Sequence, residues 1–107
     1  MTPLLKSFSA LSDETRLNIV EQLMDHGELP AGDLVRGSGI SAPAISRHLK
    51  VLRDAGLVRQ RAVGAKRLYS AQPEGLQLIA QWTISRREFW ESSLDRLEAA
   101  MMEEGLE

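Results

Sequence analysis

The segment Ser41-Ala42-Pro43-Ala44-Ile45-Ser46-Arg47-His48-Leu49-Lys50-Val51-Leu52-Arg53-Asp54-Ala55-Gly56-Leu57-Val58 carries the marks of a short, capped helix with two unlike faces. Ser41 can accept backbone N–H bonds of the first turn, and Pro43 sits where a missing N–H does little harm. Ile45, Leu49 and Leu52 recur at i, i+4 and i+7, so they share one face, which Ala55 extends. Gly56 supplies the left-handed residue that ends the helix. Pro43, Arg47, Lys50 and Asp54 lie opposite the apolar stripe, with Ser46 and Arg53 on one flank. Small residues near the N-terminus (Ala42, Ala44, Ser46) let that end approach a partner closely. A helix held from behind and basic in front is suited to a polyanion, and the major groove of DNA fits its width.

Outward from this helix, charge is segregated. Between Arg36 and Ser70 the sequence has eight Lys and Arg against Asp54 alone, net +7. The remaining five bases and fourteen acids give net −9, and the two together make the overall −2. A mildly acidic chain thus contains a basic module, and counterion release from a phosphate backbone rewards such clustering. Leu57 to Val63 and Lys66 to Ser70 are two β-prone runs, with Gly64-Ala65 between them as a hairpin turn. Arg59, Arg61, Lys66 and Arg67 project from this hairpin and its tip.

Upstream, Ser12 is expected to cap a helix that begins with Asp13 and Glu14, acids at the positive end of the dipole. Leu17, Val20 and Leu23-Met24 form its expected stripe, and Gly27 ends it. Arg16 is expected to make a structural ion pair. Glu28 to Val35 reads as an extended stub entering a small helix, and Gly37-Ser38-Gly39-Ile40 as the turn before the basic helix. Helix, turn and basic helix follow in order.

Three motifs within Phe8 to Ser70 resemble the winged helix-turn-helix repressors of the ArsR/SmtB type. Ala10-Leu11-Ser12-Asp13-Glu14-Thr15-Arg16-Leu17-Asn18-Ile19 is similar to that family's opening signature, with Glu14 where Pro is usual. Ser46 to Val58 is similar to its recognition-helix signature, and Gly64-Ala65-Lys66-Arg67-Leu68-Tyr69 to its wing. The resemblance implies a mainly α fold with a small β-hairpin, and a dimeric, sequence-specific repressor at an inverted-repeat operator in double-stranded DNA. The candidate DNA-contacting residues are Ser41, Pro43, Ala44, Ser46, Arg47, His48, Lys50 and Arg53 on the helix, with Arg59, Arg61, Lys66 and Arg67 on the wing.

The ends of the chain are the expected dimer surfaces. Pro3 to Leu11 can form a short helix with Leu4, Leu5 and Phe8 on one side. From Pro73 a single helix is expected to reach Glu103, about 45 Å at 1.5 Å per residue. Leu76, Ile79, Trp90, Leu94, Leu97 and Met101 make one stripe, and Leu78, Trp82 and Phe89 a second. So broad an apolar arc exceeds what a 107-residue wing domain can cover. With the resemblance, this assigns Leu4, Leu5, Phe8, Leu76, Ile79, Trp90, Leu94, Leu97 and Met101 to the interface of a homodimer. Thr83, Arg86 and Arg87 interrupt the stripes, and a charged pairing across the dimer could account for them.

One departure from the family pattern bears on sensing. Metal-sensing members place cysteines in a segment that here reads Glu28-Leu29-Pro30-Ala31-Gly32-Asp33-Leu34, with Pro30 and Gly32 where the thiols would stand. The chain has no cysteine, so thiolate ligation is excluded, and no His follows His48 to build a site on the final helix. No metal, cofactor or catalytic constellation is expected. The domain plan is one winged helix-turn-helix over 1–107, with 31–56 the helix-turn-helix, 57–70 the wing, and 3–11 and 73–103 the dimerisation helices. No membrane segment or leader is evident, which suits the cytoplasm. Gly105-Leu106-Glu107 is the expected loose end. Two other readings stand beside the repressor: a small-molecule-gated regulator with a pocket near the last helix, and a winged-helix protein-interaction module.

Overall fold

The structure, a computed structural model, describes residues 1–105; of the expected loose end, Leu106 and Glu107 lie outside the described residues. In chain order the elements are α1 (Pro3–Leu11), α2 (Glu14–His26), β1 (Leu29–Pro30), α3 (Ala31–Val35), α4 (Ala42–Asp54), β2 (Val58–Val63), β3 (Lys66–Ala71), α5 (Pro73–Ser85) and α6 (Arg87–Glu103). The three strands form one antiparallel sheet in the order β1-β3-β2. The stub therefore joins the expected hairpin as a third strand, pairing Leu29 with Tyr69 and Pro30 with Leu68.

The core lies where α2, α4 and the sheet meet. Ile19, Val20 and Leu23 from α2, Leu34 from α3, Ile45, Leu49 and Leu52 from α4, and Leu57, Val58 and Tyr69 from the wing side are buried together. The stripe on α4 is the expected one, but that on α2 is rotated. Leu17 is 42% and Met24 53% exposed, and Ile19 is buried in their place. At 100° per residue Ile19, Leu23 and Val20 span an arc of about 100°, with Met24 and Leu17 about 40–60° past Val20. Contacts of α2 with α1 on one side and with α4 and β3 on the other fix which arc turns inward.

Helix ends follow local chemistry. Ser41 Oγ accepts from the Ala44 N–H at 3.3 Å, capping α4. At its other end Gly56 has φ +74°, the Gly56 N–H donates to Arg53 O and the Leu57 N–H to Leu52 O, a Schellman closure. For α2 the cap is Asp13 rather than Ser12: Asp13 Oδ2 accepts from the Arg16 N–H at 3.0 Å. Ser12 instead ends α1, its Oγ donating to Ser9 O at 2.7 Å.

The expected helix over 73–103 is broken at Arg86, whose backbone leaves helical geometry at φ −106°, ψ 11°. Two hydroxyls compete for the carbonyls just before the break: Thr83 Oγ1 donates to Ile79 O and Ser85 Oγ to Trp82 O. Arg87 then pairs with Glu91 within α6, Nε to Oε1 at 2.7 Å. That intrachain pair engages Arg87, one of the three residues that interrupt the stripes. Past the break, α6 buries no residue, and the molecule extends to 62 Å along its long axis. By contrast α5 is held: it packs on α1, where Phe8 and Trp82 meet edge to face at 5.8 Å.

Its N-terminus is held more closely still. Gln72 N donates to Leu57 O and Gly75 N to Gly56 O, both at 2.9 Å. A Cβ on Gly75 would stand 2.8 Å from Gly56 O and 2.9 Å from Ala55 O. Backbone thus lies on backbone at the joint between α5 and the end of α4.

Candidate nucleic-acid interface

The buried stripe on α4 determines what that helix shows to solvent. With Ile45, Leu49 and Leu52 almost fully buried, Pro43, Ser46, Arg47, Lys50 and Asp54 are exposed on the other side, as is Ser41 at the cap. Ala44 is half-buried. Among the described residues neither Arg47 nor Lys50 is held in an ion pair, so both cations are available. Arg53 differs: it is half-buried, and its Nε is enclosed without a partner among the described residues.

The wing resolves the imperfect alternation of its first strand. Val58 pairs with Ala71 and Gln60 with Tyr69, and this face is the one turned to the core. Arg59 and Arg61 consequently point the other way, each already engaged. Arg59 Nε donates to Ser70 Oγ at 3.2 Å. Arg61 grips Glu28 with two bonds, Nε to Oε2 at 2.8 Å and NH2 to Oε1 at 2.7 Å. The Arg61 hydrogen bond holds the Glu28 carboxyl below the usual carboxylate range, and Glu28 in turn raises Arg61. Arg61 therefore fastens the wing to the residue preceding β1.

Lys66 and Arg67 stand exposed at the tip. Gly64 has φ +60° and Ala65 does not, as a type II′ turn requires. Beneath the tip runs an open groove of about 660 Å³ lined by Pro30, Gly32, Asp33, Arg36, Lys66 and Arg67. Arg36, which also pairs with Asp33, is not among the candidate contacts read from the sequence, although it is the first cation of the basic module. A second cleft, about 300 Å³, lies between α2 and the helix-turn-helix, lined by Glu14, Asn18, Gln22 and Ser38 among others.

His48 sits on the other flank of α4. Its side chain is 24% exposed, and its Nδ1 lies 3.3 Å from Arg16 NH1 and 3.8 Å from Asp13 Oδ2. Arg16 spends its remaining donors on α1: Nε to Ala10 O at 2.7 Å and NH2 to Ser9 O at 3.4 Å. It acts as a fastener of helix ends, where an ion pair was expected. Its N–H bond to Asp13 is the first reason that carboxyl lies below its ordinary value, with the Arg16 charge adding to it.

The arrangement is a basic helix N-terminus, an adjoining basic hairpin and a groove between the hairpin tip and α3. Comparison with known proteins agrees with it. Residues 13–60 match the family model described as the bacterial regulatory protein, arsR family. An HTH-type transcriptional regulator of Mycobacterium tuberculosis is 46% identical over 74 residues, covering 69% of this chain and 68% of that protein. The arsenical resistance operon repressor of Escherichia coli K12 is 36% identical over 96 residues, covering 89% of this chain and 79% of that one. An ArsR-like transcriptional regulator from Rhodococcus has a TM-score of 0.71 at 31% identity, covering 92% of each chain. The chain belongs to the ArsR family of bacterial regulatory proteins, DNA-binding regulators of transcription.

Proposed function

We propose that two copies of this chain bind an inverted-repeat operator, each placing the α4 N-terminus in the major groove and its wing tip over the flanking backbone. The observation that carries the proposal is the opposition on α4: one face sealed into the core, the other presenting Ser46, Arg47 and Lys50 without ion-pair partners among the described residues. Arg47 is the base-reading candidate, since a two-pronged donor matches guanine O6 and N7. Lys66 and Arg67, joined by Arg36 across the groove, supply phosphate contacts. Dimerisation is supported by α6, on which Trp90, Leu94, Leu97 and Met101 recur at heptad spacing and remain exposed. Leu5, Phe8 and Trp82 add an apolar margin on α1 and α5. Repression follows from occupying a promoter, and the E. coli relative is named as a repressor.

That relative is also named for arsenical resistance, but arsenic sensing is not part of this proposal. Pro30 and Gly32 stand in the segment where thiol-sensing members, by the resemblance above, keep cysteines, and the chain has none. The cytoplasm is the proposed location; among the described residues no helix is long and apolar enough to cross a membrane.

Titration of fluorescent duplexes selected from the source genome, with sedimentation to count protomers, tests the proposal. Two protomers per inverted repeat and clear preference over random duplex are expected. One protomer per site, or no preference, would refute it. The same titration with Zn²⁺ or arsenite should give an unchanged affinity, and a tenfold change would overturn the assignment of Pro30 and Gly32.

A further inference from the structure

We infer that Arg16 is a positioning residue for DNA recognition: by donating to His48 Nδ1 it keeps the imidazole proton on Nε2, leaving Nε2–H as the donor available to DNA. The inference rests on the proposed interface, because it gives His48 a partner beyond its own chain.

The guanidinium of Arg16 sets the direction of the contact. Arginine has five N–H donors and no acceptor, and it stays charged at any ordinary pH. Its NH1 lies 3.3 Å from His48 Nδ1. That approach is attractive only if Nδ1 offers a lone pair; a proton on Nδ1 would set N–H against N–H. A neutral ring that accepts at Nδ1 carries its hydrogen on Nε2. The competing partner is Asp13 Oδ2, 3.8 Å from Nδ1, beyond hydrogen-bond length, and already accepting from the Arg16 N–H at 3.0 Å.

Arg16 is itself fixed. Its Nε donates to Ala10 O at 2.7 Å, and NH2 reaches Ser9 O at 3.4 Å. Two carbonyls at the end of α1 thus aim the third donor at the ring, much as the partner of a metal-bound histidine sets its tautomer. The ring is not sealed off, and it follows the exposed Arg47 directly in sequence. A neutral N–H donor on that flank can meet a phosphate oxygen or a base acceptor without placing a second positive charge against Arg16.

The test uses the whole protein, labelled with ¹⁵N at histidine. Besides His48 the chain has His26, exposed at the end of α2, which serves as an internal reference. Long-range ¹H–¹⁵N spectra of the free protein above neutral pH should give His48 a single Nε2–H tautomer, with averaged signals from His26. Arg16→Gln should bring His48 to the averaged pattern. In operator titrations His48→Ala should weaken binding roughly fivefold per half-site, the worth of one net hydrogen bond, and Arg16→Gln by up to about twofold, because an averaged ring still carries its proton on Nε2 part of the time. The double variant should be no weaker than His48→Ala, because Arg16 acts through the ring. Thermal unfolding of each variant separates loss of fold from loss of binding, and if Arg16→Gln does not fold, Arg16→Lys takes its place.

An Nδ1–H tautomer, or averaging like that of His26, in the wild type would make Asp13 or water the partner and overturn the inference. Additive losses in the double variant would overturn it as well. A wild type with the expected tautomer that prefers no duplex would refute the DNA interface, and with it the target assigned to Nε2–H. The spectra need no DNA, so the two failures are distinguishable.

Discussion

Replacing Gly75 by alanine tests the joint between α5 and α4 with one methyl group. The added Cβ would lie 2.8 Å from Gly56 O, 2.9 Å from Ala55 O and 2.9 Å from Leu57 Cδ2. The leucine methyl can turn aside, but the two carbonyls are main chain, and the Schellman closure at Gly56 fixes them. Relief requires α5 to retreat, which stretches the Gly75 N to Gly56 O bond. Overpacking of this kind costs about 1–3 kcal/mol, and a lost main-chain bond adds about 0.5–1.5 kcal/mol. Against this, alanine is the better helix former by about 1 kcal/mol in a helix interior, and by less in a first turn. The net expectation is a loss of about 1–3 kcal/mol, a fall in Tm of roughly 5–20 °C for a domain of this size. Thermal and urea unfolding at one fixed protomer concentration would read it, since the proposed dimerisation would make apparent stability concentration-dependent. Gly32→Ala is the control: its Cβ would meet Arg36 NH1 at 3.8 Å, an ordinary contact with a flexible side chain, and stability should stay within about 0.5 kcal/mol. A Gly75→Ala protein as stable as the wild type would refute the claim that the joint has no slack.

Lys66→Ala should weaken all duplexes alike and lower the salt slope by about one per protomer, whereas Arg61→Ala should lower it less, because Glu28 already neutralises that cation; equal slopes in salt titrations would contradict the assignment. Glu28, held low by Arg61, should keep its charge and the wing contact through mildly acidic solution. A depressed carboxyl stabilises above its unfolded pKa, and that contribution disappears as pH falls through the folded value, so carboxyl NMR should find Glu28 below ordinary glutamates and returned upward in Arg61→Ala. Replacing Leu94 and Leu97 together by glutamate should give folded monomers in sedimentation with operator binding lost, each buried leucine being worth about 1.5–3 kcal/mol to the interface; a dimer that still binds would move the interface to Leu4, Leu5 and Phe8.

The elements legible in the sequence were those whose signals are local. The cap at Ser41, the stripe of Ile45, Leu49 and Leu52, the closure at Gly56 and the turn at Gly64 each depend on a few consecutive residues, and each stands where expected. Signals set by distant packing were less legible. On α2 the spacing of Leu17, Val20 and Met24 is helical, but neighbours from α1, α4 and β3 select the arc through Ile19. At Arg86 the sequence shows the apolar stripes interrupted but not the helix ended; the hydroxyls of Thr83 and Ser85, bonded back to carbonyls before the break, were the further signal. At the candidate interface the sequence shows the residue types but not which of them are already paired. Nothing near Arg61 or His48 in sequence points to Glu28, Asp13 or Arg16, which lie more than thirty positions away.

Pro30 has a consequence for how copies of this chain can meet. It occupies the outer strand of the sheet, β1, and follows Leu29 as the second of that strand's two residues. A sheet margin is ordinarily a template on which another chain can lay a strand, the route to swapped dimers and to fibrils. A proline there has no N–H to offer, its ring obstructs an incoming backbone, and the chain turns at once into α3, whose start it forms. The opposite margin, β2, carries Arg59 and Arg61 on its outward face, charges that oppose a second strand. Both borders of the small sheet thus discourage strand-on-strand growth, which is compatible with the proposed dimer forming through helix surfaces instead.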